Sequence, residues 1–286
     1  MARIEVFTPA SLSEALEWLS KHPEATVFAG GTDLMVALET GAFTPREVLD
    51  LWAIRRELDA ICEVGGALRV GAAATYTAML ESPLVARHAP ALREAARSVG
   101  AIQIQNRGTI GGNIVNASPA GDTLPVLLAR DARLHLATHA RRRELPIARF
   151  YTGYRKTLLM PGELVTAVTL PPRPAGAHEF FYKVGTRQAQ AISKVVVAIY
   201  LEAEQDRVTE IRIAAGSVAP TVIRCHDAEA CLRGAPLCDA DAWERAAQAM
   251  SAEVRPIDDI RSTAEYRRLV SGNLIRRCAR NFLPSR

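Results

Sequence analysis

Two glycine pairs constrain this chain more than any other feature of its sequence. They are Gly30-Gly31 and Gly111-Gly112. Glycine has no Cβ and tolerates positive φ, so successive backbone N–H groups near it can converge on one anion. Short polar side chains accompany both pairs: Thr32, Thr109 and Asn113. The pattern indicates two places where the backbone closely approaches a phosphorylated ligand.

Neither glycine pair belongs to a common phosphate-binding motif. A P-loop requires a lysine after its second glycine, and neither loop contains a lysine. The Rossmann fingerprint requires three spaced glycines in one turn, which neither loop has. A single isolated pair is more typical of a tight turn, so each pair alone is weak evidence for a ligand site.

Helical and strand patterns alternate along the chain. Ser11 and Glu14 form the pattern of a capping box, which predicts a helix starting at Leu12. Apolar runs predict strands at 4–7, 26–29, 68–70, 132–137, 163–170, 193–201 and 208–218. Helices are predicted at 84–99, 240–252 and 263–282. This mixed order favours the α+β class.

The last predicted helix carries apolar residues at every fourth position. We expect them to form one buried stripe: Tyr266, Val270, Leu274, Cys278 and Phe282. Arginines crowd the same region: Arg261, Arg267, Arg268, Arg276, Arg277, Arg280 and Arg286. They raise the alternative of nucleic-acid binding. The apolar stripe and a formal net charge of only +4 argue against it.

Composition bounds the remaining possibilities. A length of 286 residues predicts one or two domains, and the proline-rich stretch 171–176 is the best linker candidate. No stretch approaches the length of a membrane span, and the start of the chain has no apolar signal core. We therefore expect a cytoplasmic protein.

Cysteines and histidines give no sign of a metal site or a catalytic centre. The five cysteines are scattered, and the gaps between Cys225, Cys231 and Cys238 exceed those of common zinc sites. Of the six histidines, only His135 and His139 are four residues apart, and they fall in a predicted strand. We predict no catalytic residue and no metal ligand in this chain.

Together with their flanks, the glycine loops resemble a known family. Residues 29–33 and 109–114 resemble the two FAD-anchoring motifs of the molybdenum hydroxylase flavoproteins, the medium subunits of the xanthine dehydrogenase and aerobic carbon monoxide dehydrogenase family. The resemblance continues through residues 117–122, 182–185 and 256–267. It therefore covers the chain in order.

The resemblance implies a fold and a domain division. It implies an FAD-binding region of the vanillyl-alcohol-oxidase type at 1–175, made of two subdomains at about 1–55 and 56–175. A smaller α+β C-terminal domain of the same flavoproteins follows at 176–286. The proline-rich linker lies where that boundary is expected.

The resemblance also implies which residues bind FAD. They are Phe28, Ala29, Gly30, Gly31, Thr32, Asp33, Thr109, Ile110, Gly111, Gly112, Asn113, Ser118, Asp122, Leu164, Val165 and Lys183. Leu164 and Val165 are alternatives for one apolar position near the cofactor. A lysine near a flavin stabilises its anionic reduced form by Coulomb attraction. We expect Gly111→Val to abolish FAD retention while leaving most of the fold intact, because its side chain would lie where the backbone touches phosphate.

Two departures from the family pattern restrict what the resemblance carries over. Many relatives have an acidic residue before the isoleucine at position 192, where this chain has Ala191. One type of relative has an inserted loop whose cysteines bind a cluster. This chain has no cysteine between Cys62 and Cys225, so we expect no iron–sulfur cluster of its own.

In the family, substrate is hydroxylated at a molybdopterin cofactor on a separate large subunit. Electrons then pass through two [2Fe-2S] clusters on a small subunit to the FAD of the medium subunit, and on to NAD, a quinone or oxygen. The resemblance implies the same role and partners here, with a dimer of heterotrimers as one possible assembly. The alternative is a self-sufficient FAD-dependent oxidoreductase.

Overall fold

The computed structural model describes residues 4–187 and 189–283. Predictions that concern residues 1–3, Gln188 or Arg286 lie outside these residues. The strands are β1 (Glu5–Phe7), β2 (Thr26–Phe28), β3 (Glu47–Asp50), β4 (Ile61–Val64), β5 (Ala67–Gly71), β6 (Arg133–Ala137), β7 (Arg142–Pro146), β8 (Tyr151–Gly153), β9 (Lys156–Thr157), β10 (Leu164–Leu170), β11 (His178–Val184), β12 (Val195–Glu204), β13 (Arg207–Gly216) and β14 (Ile223–Arg224).

Helices connect and cover these strands. They are α1 (Leu12–Lys21), α2 (Leu34–Glu39), α3 (Tyr76–Glu81), α4 (Pro83–His88), α5 (Pro90–Ser98), α6 (Ile102–Gln105), α7 (Ile110–Asn116), α8 (Leu124–Ala129), α9 (His226–Leu232), α10 (Ala240–Glu253) and α11 (Ala264–Ala279). Strands and helices alternate irregularly, and the predicted α+β class is confirmed. No helix among the described residues is long and apolar enough to cross a membrane.

The N-terminal part is a small parallel sheet with strand order β1-β3-β2. The predicted capping box starts its helix, α1. The Ser11 hydroxyl accepts from the N–H of Glu14 (3.2 Å), and the Glu14 carboxylate accepts from the N–H of Ala10 (2.6 Å). Leu16 and Leu19 of α1 are buried in a hydrophobic cluster with residues of the sheet. The helix therefore covers one side of the three strands.

A five-stranded antiparallel sheet, with order β4-β5-β10-β6-β7, forms the middle of the molecule. Its side chains alternate between two faces, as the two-residue period of a strand requires. Val70, Val168 and Leu134 belong to a large hydrophobic cluster that also contains residues of α3, α5 and α8. Their neighbours Arg69, Thr169 and Arg133 are partly or fully exposed.

The C-terminal sheet, with order β11-β12-β13-β14, is covered on both faces. In β12, Val197 and Ile199 contribute to a cluster with residues of α9, α10 and α11. Ala198 and Tyr200 contribute to the same cluster as the middle sheet and α8. Both faces of β12 are therefore apolar, which explains its nearly continuous apolar sequence.

The prediction of a single helix at 84–99 is wrong in one respect, because this segment forms two helices. Helix α4 ends at His88 and α5 begins at Pro90. Proline has no N–H and disfavours a helical conformation at the preceding residue. Ala89 accordingly has φ −148°. Pro90 then takes the first helical position of α5, where its missing N–H costs nothing.

The buried stripe predicted for the last helix is confirmed except at its first residue. Leu274 and Cys278 are buried, and Val270 and Phe282 pack against the same hydrophobic cluster, whereas Tyr266 is 41% exposed. Residues four apart on an α-helix advance by about 40° around its axis, so a strict four-residue repeat drifts across the buried face. The buried positions of α11 follow a mixed spacing: Arg267, Ser271, Gly272, Leu274, Ile275, Cys278 and Ala279. The helix ends at Ala279, three residues before the predicted end.

A buried ion pair joins the middle of the molecule to the C-terminal sheet. Arg130 follows α8, and its side chain is 2% exposed; Glu179 of β11, its partner, is 1% exposed. Arg130 also donates to the carbonyl oxygens of His88 and Pro171. Glu179 accepts in addition from the N–H of Ala91 (3.1 Å). The pair therefore holds the proline-rich connector against both halves.

We expect Glu179→Ala to destabilise the chain by about 3–5 kcal/mol, because it leaves the buried Arg130 guanidinium without its carboxylate. Chemical denaturation of the purified chain measures this loss. Glu17→Ala is the matched control, since Glu17 pairs with Lys21 on the surface of α1. A change in unfolding free energy as small as that of the control would contradict the role assigned to the pair.

Candidate cofactor site

A cleft of about 390 Å³ lies between the N-terminal sheet and the middle sheet. This volume falls within the range of ligand pockets, roughly 300–1,000 Å³. Both glycine loops line it. Of the residues predicted from the sequence, those lining the cleft are Ala29, Gly30, Gly31, Thr32, Asp33, Thr109, Gly111, Gly112, Asn113, Leu164 and Val165. Residues more than a hundred positions apart thus meet at one site.

The first glycine loop presents free backbone donors to the cleft. Among the described residues, no protein acceptor takes the N–H groups of Gly30, Gly31, Thr32, Asp33 or Leu34. Gly31 has φ +75°, a left-handed conformation that favours glycine. Leu34 begins α2, whose first N–H groups have no partner within the helix. The loop therefore has the donors that an anionic group requires.

The two glycine loops touch each other at Gly30. A Cβ at this position would overlap the carbonyl oxygen of Arg107, which precedes the second loop. The Arg107 guanidinium stacks on the ring of Trp52, with 3.8 Å between its central carbon and the ring centroid. Trp52 follows β3 of the N-terminal sheet. Gly30 is therefore a glycine because the loops are in contact.

The second glycine loop uses its backbone donors internally. It is the first turn of α7, and the Thr109 hydroxyl caps it by accepting from the N–H of Gly112 (3.1 Å). The N–H groups of Ile110 and Gly111 donate to Ala74 (3.0 Å) and Ala72 (2.8 Å). Sequence reasoning expected these groups to converge on an anion, and in the structure they hold α7 against the end of β5 instead.

Gly111 and Gly112 face different surroundings. A Cβ at Gly111 would lie 2.7 Å from both the Cβ and the carbonyl oxygen of Ala72. A Cβ at Gly112 would approach only the Thr109 hydroxyl, at 3.0 Å. A side chain at 111 would therefore meet the protein first, and contact between this position and the ligand stays a prediction.

Five predicted residues do not line the cleft. The Phe28 ring packs under Gly31, where a Cβ would lie 2.5 Å from it. Ile110 is fully buried in the hydrophobic cluster of the middle sheet. The Ser118 hydroxyl accepts from the N–H of Ala120 (3.3 Å) in the loop that leads to α8. Asp122 and Lys183 contact each other.

Asp122 and Lys183 form a nearly buried ion pair, with 2.6 Å between the Asp122 Oδ2 and the Lys183 Nζ. The ammonium group also donates to the carbonyl oxygen of Ser98 (2.8 Å). Burial raises the pKa of Asp122 to about 6, although the Lys183 charge acts in the opposite direction. The Asp122 Oδ1 is buried and has no hydrogen-bond partner in the described part of the chain. The pair therefore keeps one polar atom available.

Sequence reasoning missed several residues of the cleft. Tyr76, Asn116 and Glu163 are the polar ones among them; Tyr76 and Glu163 are buried, and Asn116 is partly exposed. Burial would raise the pKa of Glu163, but hydrogen bonds from the Arg143 side chain and the Met160 N–H outweigh it and lower this pKa. Glu163 directly precedes β10 and thus fixes the start of that strand. The other residues that were missed are Val27, Leu34, Leu51, Leu58, Ala72, Ala73, Val99, Ile104, Gly108, Val115 and Leu159.

Comparison with known proteins assigns most of the chain. Residues 2–173 match the family model of the FAD binding domain in molybdopterin dehydrogenase, and residues 180–282 match that of the CO dehydrogenase flavoprotein C-terminal domain. The chain belongs to this flavoprotein family. The predicted resemblance is therefore confirmed, and so is an FAD-binding chain of an oxidoreductase.

The relatives are subunits of dehydrogenases and hydroxylases. A putative xanthine dehydrogenase FAD-binding subunit of Escherichia coli K12 is 34% identical, over 90% of this chain and 88% of the relative. The nicotine 6-hydroxylase medium subunit of Paenarthrobacter nicotinovorans is 32% identical, over 96% and 95%. In a structure of carbon monoxide dehydrogenase from Hydrogenophaga pseudoflava, one chain superimposes with a TM-score of 0.93 at 31% identity, covering 98% of this chain and 96% of that one.

The site fits FAD on two observations of its own. The first glycine loop supplies free N–H groups for a diphosphate. The apolar side chains of the cleft fit the flat faces of aromatic rings. Which of the predicted residues contact the cofactor remains a prediction.

We expect Gly111→Val to destabilise the fold itself and not only FAD binding. Overpacking a close contact typically costs about 1–3 kcal/mol, and the valine would press on Ala72. Gly111→Ala and Gly112→Ala form a matched pair, with the larger loss at position 111. Denaturation curves and FAD retention, measured on the same preparations, test this. Gly111→Val unfolding like the unaltered chain while releasing its FAD would contradict it and favour direct contact with phosphate.

Proposed function

We propose that this chain is the electron-transferring subunit of a molybdenum-dependent hydroxylase or dehydrogenase and holds FAD in the cleft between its glycine loops. One observation carries the proposal: the free N–H groups of the first glycine loop lie in the same cleft as the apolar start of β10. FAD, when bound, supplies the redox chemistry. The residues of the chain bind it, orient it and set its electrostatic surroundings.

In this proposal the two loops have different tasks. The N–H groups from Gly30 to Leu34 bind the diphosphate, and α7 with its Thr109 cap supports the cleft wall. Leu164 or Val165 covers one side of the flavin ring, in keeping with their place in the cleft. Lys183 lies with Asp122 at the edge of the site, where its charge favours a negatively charged flavin.

We further propose that the chain works with two partners. Several relatives are named medium subunits or medium chains, and one related carbon monoxide dehydrogenase was solved in a form that lacks the Mo-pyranopterin moiety of its molybdenum cofactor. A large subunit would hold the molybdopterin cofactor and a small one two [2Fe-2S] clusters. Electrons would reach the FAD from these clusters and leave to NAD, a quinone or oxygen. A dimer of such heterotrimers is part of the proposal.

Two further parts of the proposal concern organisation and location. The domain division at 1–55, 56–175 and 176–286 is supported by the three main sheets, each of which lies within one of these parts. A cytoplasmic location is supported by the five cysteines, which are all free thiols. Free thiols are typical of a reducing compartment.

We expect the purified chain or its complex to contain non-covalent FAD. Heat or acid should release it, because the chain binds it through backbone donors and apolar contacts. Chromatography of the supernatant against FAD and FMN standards identifies the flavin. Recovery of FMN, or of no flavin even from the intact complex, would overturn the proposal.

We also expect substrate oxidation only in a complex. Size-exclusion chromatography of native extract, with activity followed across the fractions, should place this chain in an assembly far larger than its 31.0 kDa. Co-expression with the large and small subunits should restore activity that is absent from the isolated chain. An active monomer that oxidises a small molecule unaided would favour the self-sufficient flavoenzyme instead.

A further inference from the structure

The segment 256–267 resembles a family motif but does not line the cleft. Most of its polar residues stabilise its own turn. The Asp258 carboxylate accepts from the N–H of Ala264 (2.5 Å), and the Thr263 hydroxyl caps α11 by accepting from the N–H of Tyr266 (3.2 Å). These local contacts leave the last residue of the motif, Arg267, without an explanation.

Arg267 is an arginine buried on the inner face of α11, with 5% of its surface exposed. Its Nη2 donates to the Asp259 carboxylate (2.6 Å) and its Nη1 to the carbonyl oxygen of Ser217 (2.7 Å). Removing a guanidinium from water is costly. An apolar side chain would fill the same space more favourably, so the contact with Ser217 points to a specific task.

Ser217 has an unusual backbone conformation that three contacts maintain. Its φ is +64°, in the left-handed region that non-glycine residues rarely adopt. Its N–H donates to the carbonyl oxygen of Pro119 (2.7 Å), and its hydroxyl shares a hydrogen bond with that of Ser193 (2.8 Å). Arg267 supplies the third contact. The turn after β13 is therefore fixed from the C-terminal side.

These contacts lead to the loop 118–122, which carries Asp122. Pro119 accepts from Ser217, and Ala120 accepts from the Ser193 hydroxyl (3.4 Å). Lys183, the partner of Asp122, lies at the same end of the C-terminal sheet as the Ser217 turn. Lys183 pairs with Val196 of β12, and Val196 pairs in turn with Gly216, the residue before Ser217. Both members of the ion pair are therefore anchored beside the Ser217 turn.

We propose that Arg267 is a positioning residue for the flavin site. By holding the Ser217 turn, it fixes the loop 118–122 and thereby the place of Asp122 relative to Lys183. The inference rests on the proposed function, in which this pair lies at the edge of the flavin. Arg267 would thus affect the cofactor from α11, a helix of the C-terminal domain that does not touch it.

The test compares variants of the full-length chain, purified with its native partners. Arg267→Met removes both hydrogen bonds while keeping a long side chain. We expect its FAD dissociation constant to rise about tenfold, the effect of losing one charge-assisted hydrogen bond. The visible absorption of the bound flavin should shift as well. Arg267→Lys keeps the charge but not the two-pronged geometry. Its FAD dissociation constant should lie between those of the unaltered chain and Arg267→Met.

Two further variants keep the test decisive. Arg268→Met is the matched control, because Arg268 is the exposed neighbour on the same helix. Its FAD affinity should change by less than about twofold. If Arg267→Met does not fold, Asp259→Asn weakens the same contact more gently, and we expect a smaller change in affinity and spectrum in the same direction.

Lys183→Met separates failure of this inference from failure of the proposed function. If Lys183→Met changes the flavin spectrum and affinity but Arg267→Met behaves like Arg268→Met, the positioning role is overturned. The same holds if Arg267→Met lowers only the unfolding temperature. If neither Lys183→Met nor Arg267→Met affects the flavin, the placement of the pair beside it is wrong, and the proposed function loses that support.

Discussion

The contact between the two glycine loops determines the architecture of the site. Gly30 lies against the carbonyl oxygen of Arg107, so the N-terminal sheet and the middle sheet approach as closely as two backbones permit. Any side chain at position 30 would separate them. The two parts meet again in a hydrophobic cluster that joins Leu49 of β3 to Ala137 and Leu164 of the middle sheet. The stacking of Arg107 on Trp52 strengthens the same junction.

This constraint explains why two similar glycine pairs differ in their chemistry. The first loop turns through a left-handed residue, Gly31, lines the cleft and leaves its N–H groups without a protein acceptor among the described residues. The second loop continues directly into α7, and its donors are taken by Ala72, Ala74 and the Thr109 hydroxyl. One loop is therefore suited to bind an anion. The other, packed tightly on β5, is suited to hold the wall that faces it.

Local signals in the sequence predicted local structure well. The capping box at Ser11, most of the strands and the apolar walls of β12 follow from residue type and spacing. The break at Pro90 was also present in the sequence, as a proline inside a helical pattern. The exposure of Tyr266 at the start of α11 was not, because a four-residue repeat suggests a stripe whose slow rotation shows only over several turns.

The sequence predicted those residues of the site that belong to recognisable motifs. Both loops line one cleft, as expected, but the direction of the missing Cβ at Gly111 depends on Ala72, whose position only the folded chain defines. Tyr76 and Glu163 carry no motif that sequence reasoning recognised, and they enter the cleft through the packing of α3 and β10. Pairing of residues distant in sequence was equally invisible, as Asp122 and Lys183 show.

The C-terminal domain has a physical reason to remain attached to the flavin region. Lys183 lies on β11, the first strand of that domain, whereas Asp122 belongs to the loop before α8. An ion pair across this boundary is stable only if both sides are held, since a nearly buried charge that loses its partner is strongly destabilising. Arg130 with Glu179 and the Ser217 turn provide two such anchors at separate points. Because separate anchors oppose rotation about either one, the Asp122–Lys183 pair is held from both sides of the boundary.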